Sequence, residues 1–266
     1  MKQFEGLLLV TDLDDTLLDR NKKISKENLE AIRYFTEQGG LFTFVTGRVP
    51  QGLGLVLPQL CPTIPIGCIN GAAIYDLQAK KYLWQATMDP SVIGLVEFIR
   101  ERFPEVGLEI CGFDYNRCEV INDVMAEHLR LEALPAVICR YENFGAPVCK
   151  LLLTDRAHRI PNVIEALQAH PLRDQFDFVR STSEYYEILP KGASKGNVML
   201  RLADLLGVDH SCVYAVGDNE NDISMLQRAA VGYAVANAAE AAKKAADVVL
   251  ESTCNESAVA ELIHRL

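Results

Sequence analysis

Short, separated segments of the chain carry residues able to act on a charged ester. One is Asp12-Leu13-Asp14-Asp15-Thr16, directly after an apolar run. In extended backbone, residues two apart project to the same side, so Asp12 and Asp14 share a face while Leu13 turns away. Two carboxylates about 4 Å apart repel by about 4 kcal/mol at an effective dielectric near 20, a cost that a cation or a shared proton offsets. Such a pair suits metal binding or acid/base work. Another segment is Gly217-Asp218-Asn219-Glu220-Asn221-Asp222. Asp218 offers a further hard oxygen ligand, and Mg2+ takes few carboxylates alongside water and phosphate oxygens. Asn221 and Asp222 stand where a helix would open and present free N–H groups. Thr46 supplies a hydroxyl and Gly47 an unobstructed backbone N–H, a suitable pair for a phosphoryl oxygen. Lys195 can place a cation over the same group, with Lys191 as a nearby competitor. Residues 191–196 lack the G-x-x-x-x-G-K-[ST] spacing of a phosphate-binding loop, which argues against a nucleoside triphosphatase.

These residues have to be brought together by the elements that precede them. Residues 7–11, 41–45 and 64–69 are short apolar runs that read as buried strands, and they end respectively at Asp12, at Thr46-Gly47 and at Asn70-Gly71. Ser25 is a plausible N-cap for a helix through Gln38, with Leu29, Ile32 and Phe35 on one face and Gly39-Gly40 as its stop. Strands alternating with helices predict a parallel sheet with right-handed crossovers, in which ligands bind beyond the carboxyl ends of the strands. The rhythm changes over residues 84–185, where helices near 90–102 and 122–133 mix with strands near 106–110, 148–154 and 176–180. It resumes with a helix at 194–206, a strand at 212–216, a helix at 221–229, a strand at 232–235 and a helix at 238–246. The predicted fold class is therefore α/β: a doubly wound parallel core formed by residues 1–83 and 186–266, with an α+β cap, 84–185, inserted in it.

Composition narrows the function. The 266 residues are long enough for a core with an insertion, and 49% hydrophobic with 23% charged residues fits a globular chain. A formal net charge of −10 argues against nucleic acid as a partner. It also means that a phosphorylated substrate has to be held by local cations. The eight cysteines form no C-x-x-C pair and have no histidine at ligand spacing, so buried thiols in a reducing cytoplasm are expected. Residues 7–10 are too few for a signal sequence or a membrane span.

Taken in order, DLDDTLL, FVTGR, INGA, SKG and GDNENDISML resemble the haloacid dehalogenase superfamily, and more narrowly its Cof-type branch, subclass IIB, across essentially the whole chain. The resemblance implies a Rossmann-like core with a large α/β cap, and a Mg2+-dependent phosphatase of small phosphorylated metabolites, sugar phosphates above all. By that resemblance Asp12 is the nucleophile and Asp14 the general acid/base, while Thr46, Gly47, Lys195 and Asn221 bind the phosphate. Asp12, the main-chain carbonyl of Asp14 and Asp218 hold the metal, Asp222 orients metal and water, and Asn70 supports the phosphate. Asp15 departs from the pattern by standing where the common motif has glycine. Asp accepts a left-handed turn better than most residues, so the loop is expected to survive. A phosphomutase using the same aspartyl phosphate, or a non-catalytic phosphosugar sensor, would carry the same fold, and no motif fixes the substrate, the cap residues that select it, or an oligomeric state.

Overall fold

Leu8, Leu9 and Val10 are fully inaccessible to solvent, as a strand covered on both faces requires. A computed structural model describes residues 2–266. In chain order the elements begin β1 (Leu8–Thr11), α1 (Lys26–Glu37), β2 (Leu41–Phe44), β3 (Ile66–Cys68), β4 (Ala73–Asp76), β5 (Lys81–Gln85) and α2 (Ile93–Arg102). Next come β6 (Gly107–Gly112), β7 (Asn116–Val120), α3 (Asp123–Leu131), β8 (Val148–Thr154), α4 (Ile160–Gln168), β9 (Phe176–Arg180) and β10 (Tyr185–Pro190). The chain closes with α5 (Lys195–Leu206), β11 (Val213–Gly217), α6 (Ile223–Arg228), β12 (Val231–Ala234), α7 (Glu240–Ala245), β13 (Val248–Val249) and α8 (Ala258–Arg265).

Two compact units result. One comprises Met1–Gly47, Leu55–Trp84 and Ser194–Leu266, and the other Arg48–Gly54 and Gln85–Ala193. The first is built on a parallel sheet ordered β13-β12-β11-β1-β2. From β1 the chain moves outward to β2, whereas from β11 it moves the other way, so the order reverses between β1 and β11. That is the topological switch point at which doubly wound sheets bind ligands. On one face Leu8, Val10, Val213 and Ala215 pack with Val198, Met199 and Leu202 of α5 and Met225 of α6. Side-chain alternation turns Leu9 and Thr11 to the opposite face. There α1 packs on α8. Helix α1 starts at Ser25, whose hydroxyl accepts from the N–H of Asn28 at 3.1 Å. Its buried face is turned slightly from the expected one, with Asn28, Ala31, Ile32 and Phe35 buried and Leu29 only partly so. Asn28 is there for its hydrogen bonding, since its Oδ1 caps the backbone N–H of Ala260 at the start of α8.

Three expectations need correction. Strand β3 meets the parallel sheet through an isolated bridge between Val45 and Gly67, and it pairs along its length with the antiparallel β4. The boundary expected at Tyr185 lies further on, because β10 pairs antiparallel with β8 and β9 of the second unit. Residues 48–54, expected in the core, also group with the second unit: Arg48 donates to the Gly52 carbonyl at 2.9 Å and Gln51 to the Phe113 carbonyl at 2.8 Å.

The second unit carries an antiparallel sheet ordered β7-β6-β8-β10-β9. One face is covered by α2 and α4, through Leu95, Val96, Ile99, Val163 and Leu167 on Leu108, Ile110, Leu151, Leu153 and Ile188. The other face combines α3, packed through Met125 and Leu129, with buried charge. Lys150 lies 3.1 Å from Glu187, and His128 lies 3.3 Å from Glu109, all four nearly inaccessible to solvent. Removing one partner of a buried pair strands the other charge, which costs about 3–5 kcal/mol, whereas an apolar replacement of both is nearly neutral. Lys150→Met is therefore expected to destabilise the protein by about that amount. The double variant Lys150→Met/Glu187→Leu should recover most of the loss in a denaturant titration.

Candidate active site

Each residue expected to do chemistry in the core follows a strand or opens a helix at the carboxyl edge of the parallel sheet. Asp12 extends β1 by one further bond, its N–H donating to the Val216 carbonyl at 2.9 Å. Asp218 follows β11 directly, and Lys195 is the first residue of α5, capped by Ser194. Lys195 Nζ lies 2.6 Å from Asp12 Oδ1 and 2.6 Å from Asp222 Oδ1. One oxygen from each of Asp12, Asp218 and Asp222 falls within 4.8 Å of the others. All three acids and the lysine are buried.

Asp222 sits in a 3-10 turn, Glu220–Asp222, and does local work as well. Its Oδ2 accepts from the N–H groups of Asp218 and Asn219 at 2.9 and 3.0 Å, closing the turn that presents Asp218. Thr16, fully buried, donates to Asp218 Oδ1 at 2.8 Å. The expectation passed over this hydroxyl, although it belongs to the same segment as Asp12. Asn237 is a further omission: its Nδ2 donates to the Asp15 carbonyl and its Oδ1 accepts from the Cys254 N–H. It thereby fixes the first loop, in which Asp15 takes the left-handed conformation, φ 57°, that glycine would otherwise supply.

Thr46 and Gly47 follow the second strand, with Asn70 against them. Asn70 N–H donates to the Thr46 carbonyl at 3.0 Å, and a Cβ on residue 47 would lie 3.0 Å from Asn70 Nδ2, so Gly47 leaves little room for a side chain there. Ile69, Asn70 and Gly71 all have positive φ, at 57°, 48° and 96°. For the β-branched Ile69 this is a strained conformation, costing on the order of 1–3 kcal/mol, of the kind that clusters where geometry is imposed by function. At Gly71 any Cβ would come within 2.1 Å of the Ser194 carbonyl, so the turn packs directly on the cap of the Lys195 helix. Asn221 Nδ2 donates to Asn70 Oδ1 at 3.1 Å, which joins the Asn70 turn to the Asp218 loop. Lys191, the competitor of Lys195, lies at the surface and pairs with Asp177.

Asp14 stands apart from the buried acids. Its carboxylate, about one-third exposed, pairs with Lys22 Nζ at 2.8 Å, a partner that no motif marks.

The buried cluster is over-charged for its surroundings. Burial and the neighbouring Asp222 push the Asp12 carboxyl up to about 7, although Lys195 opposes them. Burial, Asp222 and Asp12 push Asp218 up to about 9. Burial alone would lower the Lys195 ammonium, but Asp12 and Asp222 outweigh it and hold the group charged. One lysine facing three carboxylates leaves negative charge that a divalent cation would neutralise. The donors are all hard oxygens, as Mg2+ prefers. The Asn221 Oδ1 is buried without a hydrogen-bond partner, an acceptor left for a donor such as a cation-bound water. The residues present therefore fit such an ion.

Comparison with known proteins gives the class. Residues 9–263 match the haloacid dehalogenase-like hydrolase family, and the chain belongs to it. The chain is 28% identical over 271 residues to the chloroplastic endoribonuclease YBEY of Arabidopsis thaliana, covering 96% of this chain but 45% of that protein. It is 27% identical to the putative phosphatase YxeH of Bacillus subtilis, with 97% of each chain covered. It is also 27% identical to the 5-amino-6-(5-phospho-D-ribitylamino)uracil phosphatase YwtE of the same organism, again with 97% of each covered. A haloacid dehalogenase-like hydrolase from Bacteroides thetaiotaomicron superposes with a TM-score of 0.81 at 27% identity, covering 97% of this chain and 98% of that one. The subclass IIB sugar phosphatase BT4131 shares the fold, with a TM-score of 0.84 at 18% identity over 97% of this chain and 98% of that one. The protein is thus a phosphatase-type hydrolase of this family.

Proposed function

We propose that the protein hydrolyses small phosphate monoesters, sugar phosphates first among them, by a Mg2+-dependent route through a phosphoryl group carried on Asp12. The observation that carries this reading is Lys195, buried and 2.6 Å from both Asp12 and Asp222, with Asp218 in the same cluster. A nucleophile, a fixed cation and a set of hard ligands then meet at the switch point of the sheet. That a full-length relative is named for a phosphorylated ribitylaminouracil supports a small phosphorylated metabolite as substrate.

In this reading Asp12, the Asp14 carbonyl and Asp218 hold Mg2+, which when bound neutralises the carboxylates and the phosphoryl oxygens. Thr46, the Gly47 N–H, Lys195 and Asn221 hold the phosphoryl group in line with the Asp12 carboxylate, and Asn70 and Asp222 keep these groups in place. Asp12 attacks phosphorus, the ester oxygen leaves, and Asp14 gives it a proton. Asp14, now ionised, takes a proton from the water that attacks the acyl phosphate, and Asp12 is regenerated with release of inorganic phosphate. Lys195 compensates charge on the equatorial oxygens throughout. Choice of ester is assigned to the inserted unit, because none of these residues lies in 84–185. A reducing, cytoplasmic setting is supported by the free thiols of all eight cysteines.

The test is phosphate release from a panel of esters. Activity should disappear on exhaustive chelation and return with Mg2+. Asp218→Ala should lower kcat/KM by about 100-fold or more and demand more Mg2+ for half-activation. Full activity after metal removal would refute the metal requirement. Return of the phosphoryl group to substrate without free phosphate would identify a mutase, and ligand affinity without turnover a sensor.

A further inference from the structure

We infer that Lys22 is a positioning residue for the general acid, a role that rests on the phosphatase reading above. Its ammonium lies 2.8 Å from Asp14 Oδ1, with the two side chains about one-third exposed, at 31% and 33%. An ion pair that accessible contributes little to stability. The backbone around it is nevertheless built in detail. Asp19 Oδ1 accepts from the N–H groups of Asn21 and Lys23 at 2.8 Å each, and its carbonyl accepts from the Lys22 N–H at 2.9 Å. Asp19 N–H donates in return to the Lys23 carbonyl at 2.8 Å, and Gln59 Nε2 reaches the Lys22 carbonyl at 3.1 Å. Lys22 itself is held at φ 59°, a left-handed conformation uncommon in residues other than glycine.

The constraint matters because of where Asp14 stands. The buried acids are fixed by Lys195, Thr16 and the Asp218 and Asn219 N–H groups. Asp14 lies outside that cluster and is about one-third exposed, whereas the three clustered acids are buried. An accessible carboxylate has several rotamers, and misplacing a proton donor by about 1 Å can cost on the order of 100-fold in rate. By holding Oδ1, Lys22 fixes the position of the carboxyl group that handles the proton.

The dependence on leaving group tests this. Alkoxide departure needs the acid, whereas p-nitrophenolate leaves without much help. Kinetics would be measured on p-nitrophenyl phosphate and on the best alkyl ester of a sugar-phosphate panel, with folding checked by circular dichroism. Lys22→Met should lower kcat/KM on the alkyl ester by about 10-fold or more and on p-nitrophenyl phosphate by less than about twofold, and Lys22→Arg should restore the alkyl activity. Added to Asp14→Asn, Lys22→Met should cause no further loss. Equal losses on both esters, no loss, a gain on the alkyl ester, or additivity with Asp14→Asn would each overturn the inference. If the unaltered enzyme releases phosphate from neither substrate type, it is the phosphatase reading that fails.

Discussion

Asp12→Asn is expected to abolish phosphate release, with a loss of at least about 10⁴-fold in kcat, because the amide cannot form an acyl phosphate and no neighbouring group takes its place. The same substitution should not cost stability. Burial and Asp222 raise the Asp12 carboxyl in the folded protein to about 7, well above its usual 3.8, so the folded state disfavours the ion. A carboxyl raised on folding contributes stability that is full below its unfolded value and is lost as pH rises through the folded one. The metal-free enzyme should therefore weaken between about pH 4 and 7 through Asp12, and on to about pH 9 through Asp218. In Asp12→Asn the first part of that decline should be absent. Thermal melts across pH, with and without Mg2+, would show it. A variant that unfolds would mean that Asp12 is needed for the fold as well as for the reaction.

Lys195→Met is expected to be nearly as damaging to activity, by about 10³-fold or more, and unlike Asp12→Asn to destabilise the protein. Lys195 pairs with two of the three clustered acids, and its side chain is wholly buried. In the proposed mechanism its loss removes a fixed charge from the phosphoryl oxygens. It also removes what opposes the rise of Asp12, so Asp12 would be protonated at neutral pH. Breaking a buried pair from one side costs about 3–5 kcal/mol, and here two acids lose the same partner. Residual activity should shift to higher pH, where Asp12 regains its charge. Near-normal activity with an unshifted profile would show that Lys195 serves only the fold.

Much of the core and of its candidate site was legible because parallel strands are short, apolar and end at the edge where the candidate residues gather. The runs 7–11, 41–45 and 212–216 deliver Asp12, Thr46 and Asp218 to one edge of one sheet, and β1, β2 and β11 are adjacent there. Ser25 read correctly as a helix cap because a hydroxyl before a periodic run has one local use, whereas Ser194, read as the first residue of its helix, is in fact the cap. The second unit was less legible. Glu109, Lys150 and Glu187 break the apolar pattern of its strands, and their charges are buried, Lys150 with Glu187 and Glu109 with His128. Tyr185–Pro190 is as apolar as a core strand, and only its antiparallel pairing assigns it to the second unit. At the site, Thr16, Lys22 and Asn237 escaped notice because a hydroxyl, a lysine and an amide carry no motif of their own. Their partners, Asp218, Asp14 and the Asp15 carbonyl, are reached through folding rather than through spacing.

The central claim, that phosphate passes through Asp12, is tested most directly by quenching the enzyme in acid during turnover with Mg2+ and mapping any added phosphoryl group by mass spectrometry. Asp14→Asn, in which breakdown of the intermediate should be slowed, offers the best chance of trapping it. One phosphoryl group on the peptide carrying Asp12, formed and lost at rates that account for turnover and absent from Asp12→Asn, is the expected result. Steady phosphate release with Asp12 unmodified throughout, or the group found on another residue, would contradict it.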